Sequence, residues 1–241
     1  MLDGIRAVAA LTVVGYHYSP SCCPWIPGRM AVLAFYVLSG FLITHLLLEE
    51  SESTGAVSLS RFYWRRSLRI FPAFYVYWVV GLAVTALLLR RVVWGDAASA
   101  LFYVSNYYLA RDGPHEPFVG HTWSLALEEQ FYLLWPVVFV KLRGDLRRMA
   151  RVLAGVVVAT WIYRSLLALW GVKSMYLISA FETRMDHLAV GCLLAVAMRL
   201  GWVKGRVTGR RRPDWAPAVT AALLAATAGA EHALPDVYTY T

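Results

Sequence analysis

Long apolar stretches alternate with clusters of basic residues along this chain. Seven of the stretches approach the ~20 residues with which a helix crosses a bilayer, a length that a helix in a soluble core does not need. They cover residues 5–18, 30–48, 73–89, 123–140, 152–170, 184–197 and 215–230. The pattern predicts an all-α fold, a polytopic transmembrane helical bundle with about seven spans.

Basic residues are concentrated after the second, fourth and sixth predicted spans. They are Arg61, Arg65, Arg66 and Arg69, then Lys141, Arg143, Arg147, Arg148 and Arg151, then Arg199, Lys204, Arg206 and the run 210–212. Because loops rich in Lys and Arg stay in the cytoplasm, we expect these loops and the N-terminus to be cytoplasmic. Within the outer stretch 90–120, residues 95–110 are predicted as a short helix at the outer interface, since an eighth span would invert all later loops.

Composition agrees with a membrane protein, since 59% of residues are hydrophobic and the mean hydropathy is +0.52. A net charge of +8 would suggest nucleic-acid binding in a soluble protein, but here the basic loops account for it. Asp3 and the lack of a small-x-small cleavage site favour an uncleaved first span over a signal peptide. The three cysteines have no metal-like spacing, so neither a metal site nor a disulfide framework is predicted.

The first predicted span carries Arg6 and His17 on one helical stripe. Eleven steps of ~100° bring them to within about 20° of the same face, and the rise separates them by roughly 16 Å. Singly, Arg6 is explained as a topology anchor and His17 as an interfacial residue. Together on one face of a bundle they favour a functional role.

A second basic feature is the stretch "SRFYWRRSLRIFP", where helical spacing places Arg61, Arg65 and Arg69 on one side with Arg66 close by. Aromatic and aliphatic residues fill most of the other side, so we expect a helix lying on the inner membrane surface. The arginines serve there either to attract anionic lipid or to hold the phosphates of a soluble ligand, for which the guanidinium fork is suited.

Adjacent carboxylates, Glu128 and Glu129, interrupt the fourth predicted span one to two turns from its predicted outer end. A carboxylate there costs roughly 2.5–3.5 kcal/mol on insertion scales. Since neighbouring residues differ by ~100° on a helix, one carboxylate is expected to face a site and the other a partner such as Arg184. The alternative is that both line a watery vestibule. A further ionisable cluster, explained by salt bridging, comprises Glu182, Arg184, Asp186 and His187.

Five ordered motifs resemble the membrane-bound acyltransferase family 3, which includes bacterial O-antigen, peptidoglycan and macrolide O-acyltransferases. They are "LDGIRAVAALTVVGYHY", "FYVLSGFLIT", "SLSRFYWRRSLRIFPAFY", "HTWSLALEEQFYLLWP" and "RMDHLAVGCLLA". The resemblance implies an integral membrane enzyme of the bacterial inner membrane that moves an acyl group, commonly acetyl, from cytoplasmic acyl-CoA to a hydroxyl. Acyl-CoA is then a donor substrate, and no permanently bound cofactor is expected.

The resemblance also implies roles for individual residues. Arg6 and His17 match the family's Arg and His, and Arg66 with Arg69 its Arg-x-x-Arg pair. Glu128 and Glu129 match the paired glutamates. We therefore expect a catalytic set of His17, Glu128 and Glu129, and a donor-binding set of Arg6, Arg66 and Arg69. Supporting positions are expected at Arg184 and Asp186, which match a late Arg-x-Asp, and at Trp123 and Ser124.

The chain departs from the family pattern after its seventh predicted span, because members usually carry about ten spans. We expect residues 1–230 to form a C-terminally incomplete transmembrane acyltransferase domain, with residues 231–241 as a loop towards a missing span. The outer loops carry no sugar-specific signal, so a glycan, peptidoglycan or a secondary metabolite are all open as acceptors. Two other functions stand beside the enzyme: a transporter or flippase whose buried charges line a translocation path, and a structural subunit of an envelope complex.

Overall fold

The computed structural model describes residues 28–111 and 119–202 of the 241-residue chain. The regular structure of these residues is entirely helical, which confirms the predicted all-α class. The α-helices in order are α1 Gly28–Thr54, α2 Leu59–Leu89, α3 Trp94–Leu101, α4 Ser105–Ala110, α5 Trp123–Leu142, α6 Leu146–Leu169, α7 Ser174–Ser179 and α8 Phe181–Arg199, with a 3-10 turn at Gly120–Thr122. The predicted spans 5–18 and 215–230 lie outside the described residues.

Three of the described helices are long and apolar enough to cross a membrane, namely Val32–Thr54 within α1, Leu59–Leu89 and Leu146–Leu169. Large apolar side chains on them are exposed, such as Leu87 at 77% and Trp161 at 60%. Exposed apolar faces of this extent suit hydrocarbon rather than water. Helices α5 and α8 coincide with two further predicted spans; α5 carries Glu128 and Glu129, and α8 carries Glu182, Arg184 and Asp186.

Helix α2 is one continuous helix of 31 residues, with Pro72 inside it. The predicted surface helix around Arg61–Arg69 is therefore not a separate element. At ~1.5 Å per residue α2 is about 46 Å long, whereas the hydrocarbon core is about 30 Å thick. Residues 70–89 contain no charged side chain. They suffice to cross the membrane, so the arginine-bearing turns extend beyond it as what we call the basic end of α2.

The described residues fall into two compact units. One holds α1 up to His45, residues 145–157 and residues 186–202; the other holds residues 46–111, 119–144 and 158–185. In the first unit, α1 and α8 run antiparallel with their backbones in contact. A Cβ added to Gly40 would lie 2.0 Å from the carbonyl oxygen of Leu188, and one added to Gly191 would lie 2.0 Å from that of Val37. Only glycine fits at either position.

In the second unit, α2 and α5 run antiparallel and are joined by polar contacts. The Tyr63 hydroxyl donates to the carbonyl of Leu133 at 2.8 Å, and the Tyr77 hydroxyl lies 3.4 Å from Nε2 of His121. Between these contacts lies an ion pair described below. The start of α5 therefore lies beside Tyr77, and α2 continues past this point to its end at Leu89.

Residues 93–110 descend alongside α2 towards its basic end. Nε1 of Trp78 donates to the carbonyl of Ala97 at 2.9 Å. Six residues later the Tyr103 ring packs at a tilt against Phe71 and Phe74, with centroids 5.6 and 4.7 Å away. Because α3 and α4 have only 8 and 6 residues, neither crosses the bilayer, as expected. The predicted position at the outer interface is wrong, since the segment is re-entrant along the apolar part of α2.

Backbone that leaves the helical form at membrane depth must find its hydrogen bonds within the protein. Gln130 supplies one of them here, because its Nε2 donates to the Tyr103 carbonyl at 2.9 Å. The same Nε2 also donates to the side-chain Oδ1 of Asn106 at 2.8 Å. Tyr103 separates α3 from α4 in a left-handed conformation with φ of 56°, which costs a non-glycine residue about 1–2 kcal/mol. The tip of the re-entrant segment is thus held in place by α5 in a strained conformation.

Candidate functional site

The central feature of the second unit is an ion pair between α2 and α5. Nη2 of Arg66 lies 2.7 Å from Oε1 of Glu129, and the two side chains are 23% and 11% exposed. The guanidinium carbon of Arg66 also lies 3.1 Å from the centroid of the Tyr132 ring. Glu129 and Tyr132 are three residues apart and therefore share one face of α5. That face holds Arg66 by charge on one side and by a cation–π contact on the other.

A pocket of about 540 Å³ lies at the basic end of α2, where α1 ends. Four arginines and two glutamates contribute to its lining, together with Phe62 and other residues; the charged set is Arg61, Arg65, Arg66, Arg69, Glu49 and Glu50. Four positive and two negative formal charges leave an excess of positive charge, so the pocket favours an anionic ligand.

Glu50 organises the entrance of this pocket. Its Oε2 lies 3.1 Å from Nη2 of Arg65, and its Oε1 accepts from the backbone N–H of Ser58 at 3.2 Å. Ser58 in turn caps the start of α2, since its side chain accepts from the N–H of Arg61 at 3.4 Å. One carboxylate thus joins the end of α1 to the first turn of α2 and orients an arginine at the rim.

The two predicted sets of residues meet in the structure. Arg66, predicted to bind the donor, pairs with Glu129, predicted to be catalytic, and Arg69 lines the same pocket as an exposed side chain. The predicted depth of the glutamates is wrong, because Glu129 lies beside the basic end of α2 rather than near the outer surface. Glu129 pairs with Arg66, and Glu128 is half-buried at the next helical position. The expected pairing of one of the two glutamates with Arg184 stays a prediction.

The predicted cluster at the start of α8 divides into separate contacts. Nε of Arg184 donates to the carbonyls of Leu177 and Ile178 at 3.2 and 3.1 Å, at the end of α7. Glu182 accepts hydrogen bonds from the hydroxyls of Tyr107 and Tyr176. In the other unit, Oδ1 of Asp186 lies 2.8 Å from Nδ1 of the buried His187. Arg184 and Asp186 thus make contacts within their own units, and their predicted supporting roles stay predictions.

Trp123 and Ser124 form the first turn of α5 and are half-buried. They lie five and six residues before Glu129, so they begin the helix that carries the ion pair. Arg6 and His17 lie outside the described residues, and their predicted roles stay predictions.

Sequence reasoning missed Tyr132 and the amide pair of Asn106 and Gln130. A signal for Tyr132 was present, because it follows Glu129 at the spacing that places two side chains on one face. Gln130 carried a weaker signal as a third polar residue in an apolar stretch. Its partner Asn106 belongs to the segment that was expected at the outer interface, so the pair had no basis in the pattern.

Comparison with known proteins identifies the family. Residues 1–238 match the profile of the family described as an acyltransferase domain. The chain belongs to acyltransferase family 3. It is 34% identical over 209 residues to the peptidoglycan O-acetyltransferase OatA of Listeria monocytogenes, covering 80% of this chain and 33% of that protein.

Two further relatives are also named as O-acetyltransferases, both of them putative. The putative peptidoglycan O-acetyltransferase YrhL of Bacillus subtilis is 35% identical over 231 residues, which is 88% of this chain and 35% of that protein. A putative O-acetyltransferase of Staphylococcus aureus, SACOL0978, is 40% identical over 161 residues, which is 63% of this chain and 26% of that protein. The chain thus spans about a third or less of the length of these relatives. No solved structure matches it.

Proposed function

We propose that this member of acyltransferase family 3 is a membrane O-acyltransferase that moves an acyl group, most simply acetyl, from acyl-CoA to a hydroxyl group of a glycan. Peptidoglycan is the acceptor to test first, because two relatives are named as peptidoglycan O-acetyltransferases or putative ones. The observation that carries the choice of donor is the arginine-lined pocket at the basic end of α2.

The pocket suits the phosphate groups of CoA. Arginine presents a planar fork that matches phosphate oxygens and keeps its charge at any physiological pH. Phe62 lies among the arginines and offers an apolar surface beside the charges. Arg61, Arg65 and Arg69 are exposed and available to a soluble ligand, whereas Arg66 is held deeper by Glu129 and Tyr132.

Glu129 and Tyr132 hold Arg66 in advance of binding. A free arginine loses side-chain entropy when it grips a ligand, and fixing it beforehand lowers this cost of association. The same contacts compensate the burial of its charge. We therefore assign Glu129 to positioning Arg66, in place of the catalytic role beside His17 that the resemblance implied.

His17 is our candidate for the base. A hydroxyl is a weak nucleophile at neutral pH, and a positioned histidine that takes its proton contributes about 10²–10⁴ in rate. The hydroxyl oxygen forms a bond to the thioester carbon, the C–S bond breaks, and the proton leaves with the CoA thiol through the base. An acyl-histidine intermediate is the rival route; it predicts label on the protein when acceptor is left out.

The basic end of α2 is proposed to face the cytoplasm, where CoA is made. A reporter fused near Arg148 should then read as cytoplasmic and one fused near Gly113 as external. A cytoplasmic reading at Gly113 would contradict this orientation.

The direct test is transfer of label from acetyl-CoA by membranes that contain the full chain. With peptidoglycan as acceptor, we expect alkali-labile label on the glycan, and loss of that label in His17→Ala at equal protein level. Parallel reactions with acetylated lipid and acetylated carrier protein test other donors. A transporter or flippase would move its cargo across the membrane without forming a new ester, and absence of transfer from acetyl-CoA would contradict the proposal.

A further inference from the structure

Tyr103 lies at the tip of the re-entrant segment, and several restraints fix its position. Its ring packs at a tilt against Phe71 and Phe74, and its carbonyl is held by Gln130 at 2.9 Å. Its backbone φ is 56°, a value that residues other than glycine rarely adopt. A strained residue that is held so firmly is typical of functional sites, where the surrounding structure maintains the strain.

The Tyr103 hydroxyl is buried and has no hydrogen-bond partner among the described residues, and the same is true of Nε of Arg66. These two groups lie in one region, because the Tyr103 carbonyl is held by Gln130, the residue next to Glu129, and the Tyr103 ring contacts Phe71, five residues after Arg66 on α2. Buried polar groups in native proteins are nearly always paired. Two unpaired donors beside one ion pair therefore indicate an acceptor that is supplied by a ligand.

The ligand atom must be an oxygen acceptor, since Nε of arginine can only donate and the phenol donates readily. Of the groups in an acyl donor, the acyl carbonyl and the phosphates of the carrier meet this requirement. The amide oxygen of Gln130 and the carboxylate of Glu129 are already used within the protein. The Tyr103 hydroxyl is buried away from water, which strengthens any hydrogen bond that it makes.

We propose that the hydroxyl of Tyr103 and Nε of Arg66 together donate hydrogen bonds to an oxygen of the bound acyl donor, an inference that rests on the proposed function. If that oxygen is the acyl carbonyl, the two donors stabilise the negative charge that develops on it as the acceptor hydroxyl adds to the carbon and the C–S bond breaks. If it is a phosphate oxygen, they contribute to binding of the carrier.

The test compares Tyr103→Phe with wild-type protein, and Tyr108→Phe is the matched control. Tyr108 belongs to the same re-entrant segment, but its ring faces Gly95. Because the Tyr103 hydroxyl lacks a partner among the described residues, its removal should leave the melting temperature unchanged or raise it. Lower activity in a protein that is at least as stable distinguishes contact with the ligand from a merely structural role.

Two measurements separate the sources of the oxygen. Contact with the acyl carbonyl predicts that kcat for transfer from acetyl-CoA falls about 10²-fold while binding of free CoA is unchanged. Contact with a phosphate predicts that the KM for acetyl-CoA and the Kd for free CoA both rise about 10-fold. Either result supports the inference if Tyr108→Phe behaves as wild type.

Wild-type transfer with equal kinetics in Tyr103→Phe would overturn this inference alone. A melting temperature lowered in parallel with activity would also overturn it, because the hydroxyl would then be structural. Failure of the wild-type protein to use acetyl-CoA would overturn the proposed function and this inference together.

Discussion

Two antiparallel helix pairs, one in each compact unit, are held together by opposite means. Helices α1 and α8 meet through Gly40 and Gly191, with backbone against backbone. Helices α2 and α5 meet through Arg66, Glu129 and Tyr132, with charge and aromatic side chains between the backbones. The first pair depends on shape, and the second on polar contacts.

This difference follows from the membrane as a solvent. Lipid tails are as apolar as leucine, so helices associate through close packing and hydrogen bonds rather than through the hydrophobic effect. Glycines give close packing but leave no group that can bind a ligand. The polar pair lies beside the pocket at the basic end of α2, and it contributes Arg66 to that pocket. We therefore expect substitutions in the first pair to affect folding and those in the second to affect donor binding as well.

The largest effect is expected from Gly40→Ala and Gly191→Ala. Each added Cβ would lie 2.0 Å from a backbone carbonyl oxygen of the facing helix, and a backbone cannot move aside as a side chain can. We expect a loss of stability at or above the upper end of roughly 1–3 kcal/mol. Thermal unfolding in detergent and the amount of folded protein in the membrane measure it.

Gly155→Ala is the control for this prediction, because an added Cβ on this residue of α6 meets no atom within 4 Å. Its stability should be unchanged or increased by about 1 kcal/mol, since alanine is the better helix former. Equal tolerance at Gly40 and Gly155 would show that the α1–α8 contact is looser than described.

An intermediate effect is expected when the Arg66–Glu129 pair is broken. Hydrogen bonds to charged groups contribute about 1.5–3 kcal/mol, so Glu129→Ala should lower stability by about 2 kcal/mol and weaken use of the donor. Because Arg66→Ala removes the same interaction, the double variant should cost less than the sum, with a coupling of about 1 kcal/mol or more. Additive losses would mean that the two side chains act independently.

The smallest effect on stability is expected for Glu50→Gln. Its partner Arg65 is 62% exposed in the side chain, and exposed ion pairs contribute at most about 1 kcal/mol. The effect should decrease further as salt is added. The measurement is the stability of Glu50→Gln and wild type at low and at high ionic strength. A loss as large as that of Glu129→Ala would show that the exposed Glu50–Arg65 pair contributes as much as the more buried Arg66–Glu129 pair.

The sequence predicted the position of the helices better than their ends. The C-terminus of α2 at Leu89 and the N-terminus of α5 at Trp123 agree with the predicted spans. The predicted spans 73–89 and 152–170 began too late, because α2 and α6 continue through Arg61–Arg69 and Arg147–Arg151 as helix. Hydropathy reports where a chain is surrounded by lipid, and a helix does not have to end where water begins.

The re-entrant segment and the pairing of Arg66 with Glu129 could not be predicted from the sequence pattern. Residues 95–110 could be interpreted from their hydropathy as an eighth span or as an interfacial helix, but neither interpretation describes a segment that enters the membrane and returns. Depth came instead from particular contacts, of Trp78 with Ala97 and of Tyr103 with Phe74. Arg66 and Glu129 are 63 residues apart, and only the register of two helices shows that they meet. Their separate selection as site residues nevertheless followed from the cost of charges near a membrane.

The central claim is that the arginine-lined pocket holds the acyl donor, and equilibrium binding of labelled CoA to purified protein tests it most directly. Arg69→Ala is the informative variant, because Arg69 lines the pocket as an exposed side chain and the Arg66–Glu129 pair is left in place. Arg147→Ala removes the same charge from the exposed start of α6 and serves as the control. The account predicts that the Kd for CoA rises about 10- to 100-fold in Arg69→Ala and stays at the wild-type value in Arg147→Ala. Equal Kd values in Arg69→Ala and wild type would contradict it.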